Sequence, residues 1–289
     1  MTVDSPISSI SFVGLGLIGM SLLQAIKRSP LAREHSILFQ GFDPNFSESD
    51  RLCVEKLGLD RFLEDKKRLY SADLIILSAP VEVNIALLEE IKLFAPPSSL
   101  VSDVSSTKSL IARKAEELRL PFIGMHPMAG KEQNGYRESN EELLRDRRVI
   151  LCDDKGLLES KKGSFLIKLL ESAGCTTLTM TPEEHDRVIA RVSHLPQLLS
   201  TLLMGYCAES ISKSGPGFAT LTRLAGSSWD IWRDIIATNS DNIAEELEHF
   251  SEELARLSRE VKQRHLLQLE SRFSEANRLY QTLKEMNRS

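Results

Sequence analysis

Two regimes of hydrophobic patterning divide the chain. Up to residue 180, short continuous apolar runs alternate with stretches of helical spacing. The run ISFVGLG (10–16) reads as a strand entering glycine, and 18–27 as the helix that follows it. Residues 36–42 read as a second strand, ending at Asp43. Further runs at 72–81, at 98–104 and up to His126 are separated by helical segments at 84–94 and 109–119, the first of them closed by Pro96-Pro97. RRVILC (147–152) and CTTLTM (175–180) bracket a last helix over 161–173. Apolar runs without alternation suit strands buried on both faces of a parallel sheet. The repeated strand–helix–strand order predicts a doubly wound parallel α/β sheet over 1–180.

From Pro182 onward apolar positions keep helical spacing, which predicts an all-α region over 181–289. Ile243, Leu247, Phe250, Leu254, Leu257 and Val261 step by 4, 3, 4, 3 and 4 residues, a heptad seam. A second seam, Leu266, Leu269, Phe273, Ala276, Tyr280 and Leu283, restarts out of phase and predicts a bend near 262–265. These stripes either pack within their own small domain or cover a subunit interface. Their length points to a homodimer formed through the C-terminal helices.

Composition narrows the class. A chain of 289 residues with 42% hydrophobic and 27% charged residues has material for a real core. A net charge of −5 and the absence of a basic tract argue against nucleic acid or an anionic membrane surface as partner. Apolar runs such as 74–81 are too short to span a bilayer. The N-terminus MTVDSPISS lacks the pattern of a secretion signal, so a cytoplasmic location is expected. Cys53, Cys152, Cys175 and Cys207 are scattered without a CxxC pair, which fits reduced thiols and no metal site.

Gly14-Leu-Gly16-Leu17-Ile18-Gly19 follows a strand and opens a helix. In a Rossmann-type domain the first glycine permits the tight turn, the second lets a pyrophosphate approach the backbone, and the third lets helix and strand pack closely. The backbone N–H groups around Leu17 and Ile18 would then face the phosphates. Asp43, 24 residues after Gly19, stands where a carboxylate binds the adenosine ribose. Pro44 and Asn45 follow it, with no arginine for a 2′-phosphate, which favours NAD over NADP. Ala79 and Pro80, ending the 72–81 run, and Ser105 complete the expected cofactor contacts.

FIGMHPMAG (122–130) ends a strand on an imidazole at the carboxyl edge of the sheet, where ligands bind in open α/β folds. DVSSTK (103–108) ends the preceding strand at the same edge and brings Ser105 or Ser106 towards His126. Taking a hydride from an alcohol carbon requires removal of the hydroxyl proton, and an imidazole suits that task near neutral pH.

With these motifs the chain resembles the prephenate/arogenate dehydrogenase family of tyrosine biosynthesis. HPMAGKE (126–132), DVSSTK, EEHDRVIARVSHLPQ (183–197) and GFATLTRLAGSSWDIW (217–232) carry the resemblance in the family's order. It implies an NAD-binding domain followed by a helical dimerisation domain, and oxidative decarboxylation of a cyclohexadienyl substrate. His126 matches the catalytic histidine and Ser106 the catalytic serine. Arg223, Glu132 and His194 match substrate-binding positions. A substrate with two carboxylates calls for a guanidinium, and Arg223 in LTRLAG is the bidentate candidate.

Two positions depart from the pattern. Many members read SHLPH where this chain ends on Gln197, an amide that cannot be protonated at the substrate pocket. Ala219 and Thr220 stand where members carry a basic residue and Asp. Prephenate and arogenate therefore both remain open as substrates, with Glu132 and Asp186 as candidates to read the arogenate ammonium. A 3-hydroxyisobutyrate-type dehydrogenase is a further reading, although Lys213 in ISKSG lacks that family's glycine-rich helix. A non-catalytic NAD sensor is the alternative outside enzymes.

Overall fold

In a computed structural model of the chain, residues 5–131 and 135–286 are described. They form two compact units, Met1–Ser240 and Asp241–Ser289.

The first unit is built on an eight-stranded sheet: β1 (Ser9–Val13), β2 (Leu38–Phe42), β3 (Arg61–Phe62), β4 (Leu74–Leu77), β5 (Leu100–Asp103), β6 (Phe122–Pro127), β7 (Arg148–Cys152) and β8 (Thr176–Met180). Their spatial order is β3-β2-β1-β4-β5-β6-β7-β8. The order reverses beside β1, placing a crevice at its carboxyl end. Helices α1 (Leu17–Arg28), α2 (Pro30–Glu34), α3 (Glu48–Leu57), α4 (Lys66–Leu69), α5 (Val81–Phe94), α6 (Ser109–Glu117) and α7 (Lys161–Ser172) connect the strands. Successive strand residues supply opposite cores, as a two-residue repeat requires. Ile10, Phe12, Leu74, Ile76, Ile123 and Met125 join α1 and α7 in one core. Val13, Ile75, Leu77, Val101 and Phe122 join α5 and α6 in the other.

The six strands β1 to β6 pair in parallel, as the patterning predicts. The last two do not continue that direction. β7 pairs antiparallel with β6, placing His126 opposite Ile150, and β8 runs parallel to β7. A parallel crossover ordinarily runs through a helix. The connection from β6 to β7 holds two 3₁₀ turns among its described residues, Tyr136–Glu138 and Glu141–Leu144, and no α-helix.

Beyond β8 the first unit is helical: α8 (Pro182–Ile189), α9 (Leu195–Tyr206), α10 (Pro216–Thr222) and α11 (Trp229–Thr238). α8 and α9 are joined by a π-helical turn, Ala190–His194, in which the Leu195 N–H reaches back to the Ala190 carbonyl. Pro196 follows. It has no N–H to donate, and its ring would clash with the carbonyl four residues back, so the widened turn relieves a conflict the sequence creates.

The second unit comprises the body of α12 (Ser240–Gln263) and α13 (Leu266–Met286). They are separated where the seam shifts, with Arg264 in a left-handed conformation at φ 54°. Arg272 grips Glu260 with two hydrogen bonds, Nε to Oε2 at 2.7 Å and Nη2 to Oε1 at 2.9 Å. Leu254, Val261, Leu266, Phe273 and Leu283 of the two seams are exposed.

Candidate active site

The glycine loop connects β1 to α1 at the switch in strand order. Gly14 adopts φ +90°, and a Cβ there would lie 2.7 Å from the backbone of Ser78 and Ala79. Only glycine fits both demands. A side chain at Gly19 would collide with Ser78 Oγ and the Gly14 carbonyl. Ser78 is thus the keystone of the loop, its Oγ donating to the Gly14 carbonyl at 2.5 Å. Gly16 is different: a Cβ there would meet nothing within 4 Å. It caps α1 without a side-chain hydrogen bond, and no acid occupies the first turn. The amides around Leu17 and Ile18 therefore have no intrahelical acceptor and no capping side chain. That open, dipole-positive helix end suits a pyrophosphate.

Asp43 follows β2 directly. Its Oδ2 accepts from the Leu15 N–H at 2.9 Å and its Oδ1 from the Asn45 N–H at 3.0 Å. Each carboxylate oxygen keeps a second acceptor position for ribose hydroxyls. Ala79 and Pro80 form the turn from β4 into α5, held by the buried Asn84. The Asn84 amide accepts from the Ala79 N–H at 3.1 Å, donates to the Ala79 carbonyl at 2.8 Å and donates to Ser105 Oγ at 2.9 Å. These residues fit a bound dinucleotide.

The Ser105 N–H donates to Asp103 Oδ2 at 2.9 Å, and the same oxygen receives Lys108 Nζ at 2.6 Å. Room for the lysine exists because residue 124 is glycine: a Cβ there would stand 2.7 Å from Lys108 Cδ. Ser106 lies in this ordered loop, half-buried.

His126 is the penultimate residue of strand β6 and is buried. Its Nδ1 lies 2.9 Å from His185 Nε2, and His185 Nδ1 lies 2.9 Å from Asp186 Oδ1. Burial, then His185, then Lys108 hold the His126 imidazole well below its ordinary proton affinity, so it is neutral. Burial likewise lowers His185, with the Asp186 bond only partly offsetting it. Burial opposes ionisation of Asp186, but hydrogen bonds from His185 and Ser109 outweigh it and keep the carboxyl below its usual value. Asp186 is not available to read an ammonium. It is enclosed, and it accepts from the Lys108 N–H at 2.7 Å and the Ser109 N–H at 2.8 Å as well as facing His185.

His194 ends the π turn. Its Nδ1 lies 3.3 Å from Asn239 Nδ2, and its ring meets Trp232 edge-on at 5.7 Å. Nε2 is buried and has no hydrogen-bond partner among the described residues. With Nδ1 accepting from the amide, Nε2 carries the proton and is a donor ready for a ligand oxygen. Burial brings the His194 pKa down to about 4.

Gln197 is buried, and both ends of its amide are engaged. Nε2 donates to the Leu224 carbonyl at 2.7 Å, and Oε1 accepts from Ser227 Oγ at 3.1 Å. These bonds fix the 3₁₀ turn Arg223–Gly226, whose first residue is exposed. Arg223 thus stands at the junction of α10 and that turn rather than within a helix. Glu132 lies outside the described residues. Sequence reasoning missed Ser78, Asn84, Lys108 and His185. Of these, Lys108 and His185 carried a signal, through their places in DVSSTK and in EEHDRVI beside an acid.

Family models agree with this arrangement. Residues 32–177 match the prephenate dehydrogenase nucleotide-binding domain, and residues 181–275 the prephenate dehydrogenase dimerization domain. A prephenate dehydrogenase of Bacillus subtilis (strain 168) is 30% identical over 275 residues, covering 88% of this chain and 70% of that protein. Among solved structures, prephenate dehydrogenase from A. aeolicus, in complex with hydroxyphenyl propionate and NAD+, superposes with a TM-score of 0.84 at 26% identity, covering 96% of this chain and 98% of that one. Synechocystis arogenate dehydrogenase gives 0.81 at 26% identity, covering 93% and 97%. The chain belongs to the prephenate dehydrogenase family.

Proposed function

We propose that this protein is an NAD-dependent prephenate dehydrogenase, which oxidises C4 of prephenate with loss of the ring carboxylate as CO2 to give 4-hydroxyphenylpyruvate. The observation that carries this reading is His126. It is a neutral imidazole at the carboxyl end of β6, on the sheet edge that holds the glycine loop, with Nδ1 engaged by His185. NAD, when bound, supplies the acceptor for the hydride from C4.

Gly14, Gly16, Leu17, Ile18 and Gly19 would hold the pyrophosphate, Asp43 the ribose, and Ala79, Pro80 and Ser105 the nicotinamide end. His126 Nε2 accepts the C4 hydroxyl proton, and Ser106 hydrogen-bonds the same oxygen. Arg223 pairs with a substrate carboxylate, and His194 Nε2–H donates to the side-chain end. Gln197 acts one step back, by fixing the turn that presents Arg223. Glu132 is assigned to the substrate pocket on its motif alone. We assign 1–180 to cofactor binding and 181–289 to substrate and subunit contacts. The exposed seams of α12 and α13 support a homodimer, which light scattering on the full chain tests. Among the described residues no helix is long and apolar enough to cross a membrane, which fits a cytoplasmic enzyme.

The deciding experiment follows NADH absorbance with purified protein and NAD, comparing prephenate with arogenate and then NAD with NADP. Turnover of prephenate with NAD is expected. Turnover of arogenate alone would move the assignment to arogenate dehydrogenase. No turnover of either would overturn both.

A further inference from the structure

The catalytic imidazole has two nitrogens, and only one tautomer leaves a base facing the substrate. Which tautomer forms is decided away from the site. Asp186 on α8 is locked by the start of α6: its Oδ1 accepts from the Lys108 N–H at 2.7 Å and its Oδ2 from the Ser109 N–H at 2.8 Å. An ionised carboxylate can only accept, so His185 Nδ1, 2.9 Å from Oδ1, must carry a proton. A neutral His185 then has its lone pair on Nε2, which lies 2.9 Å from His126 Nδ1. That contact is a hydrogen bond only if His126 holds its proton on Nδ1. His185 and Asp186 have essentially no exposure, 0% and 1%, so water cannot substitute for either partner.

We propose that His185, oriented by Asp186, is a positioning residue that fixes His126 in the Nδ1–H tautomer and so makes Nε2 the base. The proposal rests on the dehydrogenase reading for its kinetic consequence, but not for the tautomer itself. In the step, the hydroxyl proton moves to His126 Nε2 and no proton passes onward. His126 becomes an imidazolium with both nitrogens protonated, and its Nδ1–H stays bonded to His185 Nε2. His185 keeps its Nδ1 proton and Asp186 stays ionised. The Asp186 charge, transmitted through an oriented ring, stabilises that imidazolium in a site where burial and Lys108 disfavour it.

Two measurements test this. Long-range proton–nitrogen correlation on the full chain carrying [15N]histidine, with NAD present, reads the tautomer directly, and His126→Asn identifies the His126 signals. Nδ1 of His126 is expected protonated and Nε2 bare; a proton on Nε2 would overturn the proposal. This measurement needs no variant at His185, so it decides even if such a variant fails to fold. In kinetics with prephenate, His185→Phe keeps an aromatic ring, somewhat larger than imidazole, but offers no acceptor. It is expected to lower kcat on the order of 10²–10⁴-fold while KM and NAD affinity stay within about twofold. His185→Gln places a carbonyl where Nε2 stood and is expected to recover most of the lost kcat. A role confined to packing predicts the reverse order, with Phe better tolerated than Gln, and that result would overturn the proposal. Failure of the wild-type chain to turn over prephenate would sink the dehydrogenase reading and leave the tautomer question answered by the spectrum.

Discussion

Lys108 Nζ lies 2.6 Å from Asp103 Oδ2, and neither side chain has any exposure to solvent. A fully buried ion pair adds little relative to well-packed apolar residues, but removing one partner strands a charge and costs about 3–5 kcal/mol. Lys108→Met is therefore expected to shift the urea midpoint strongly downward. The double replacement Asp103→Asn with Lys108→Met should recover part of the loss. An unchanged midpoint in the single variant would show that Asp103 is not charged in the folded protein.

His126→Asn removes the proposed base and leaves a smaller polar amide in its place. The variant is expected to fold and bind NAD, and to lose on the order of 10²–10⁴-fold in kcat with prephenate. Full turnover in this variant would remove His126 from the chemistry.

Two glycines of the loop should separate by their surroundings. Gly16→Val puts its side chain into open space, so thermal stability is expected to hold while NAD affinity collapses. Gly14→Ala forces a Cβ into the Ser78–Ala79 backbone at φ +90°, so stability itself should fall. Isothermal titration with NAD beside thermal melting of both variants distinguishes these outcomes. Equal behaviour would refute the separate roles.

Arg223 and Gln197 form a second contrast. Arg223→Ala is expected to raise KM for prephenate with NAD affinity unchanged. Gln197→Leu leaves the Leu224 carbonyl and Ser227 hydroxyl without their partner, so KM should rise less and the melting temperature should drop. A KM unaltered by either change would exclude the 223–226 turn from substrate binding.

Three buried histidines give the fold an acid limit. His126, His185 and His194 all have folded pKa values below 6.5, that of His194 reaching about 4. Between the folded value and 6.5 the unfolded chain binds protons that the folded chain does not, so stability rises with pH across that window. It is fully present above about 6.5 and is lost progressively on acidification, for His194 down to about 4. Denaturant midpoints measured from pH 8 to pH 4 should fall on the acidic side, and replacing His194 with Gln should flatten the slope. A flat profile through pH 5 would contradict neutral burial of these rings.

The sequence by itself determined seven of the eight strands, all but the two-residue β3, together with the glycine loop, the carboxyl-edge position of His126 and the seam break after Gln263. Each is written in local terms: uninterrupted apolar runs, glycines at fixed spacing, a heptad whose phase shifts. It even marked Asp186 as notable, though for the wrong task. Only the tertiary structure decided what depends on residues far apart in the chain. The reversed direction of β7 and β8 follows from a connection with no crossover helix among its described residues, which strand periodicity cannot signal. Ser78 became the keystone of the loop because β4 passes within contact of Gly14, 64 residues away. Asp186 became a cap for α6 and an anchor for His185 because α8 packs where Lys108 and Ser109 begin their helix. Gln197 turned inward to hold the Arg223 turn. In each case a buried polar group had to find a partner, and only the folded chain sets which partner is in reach.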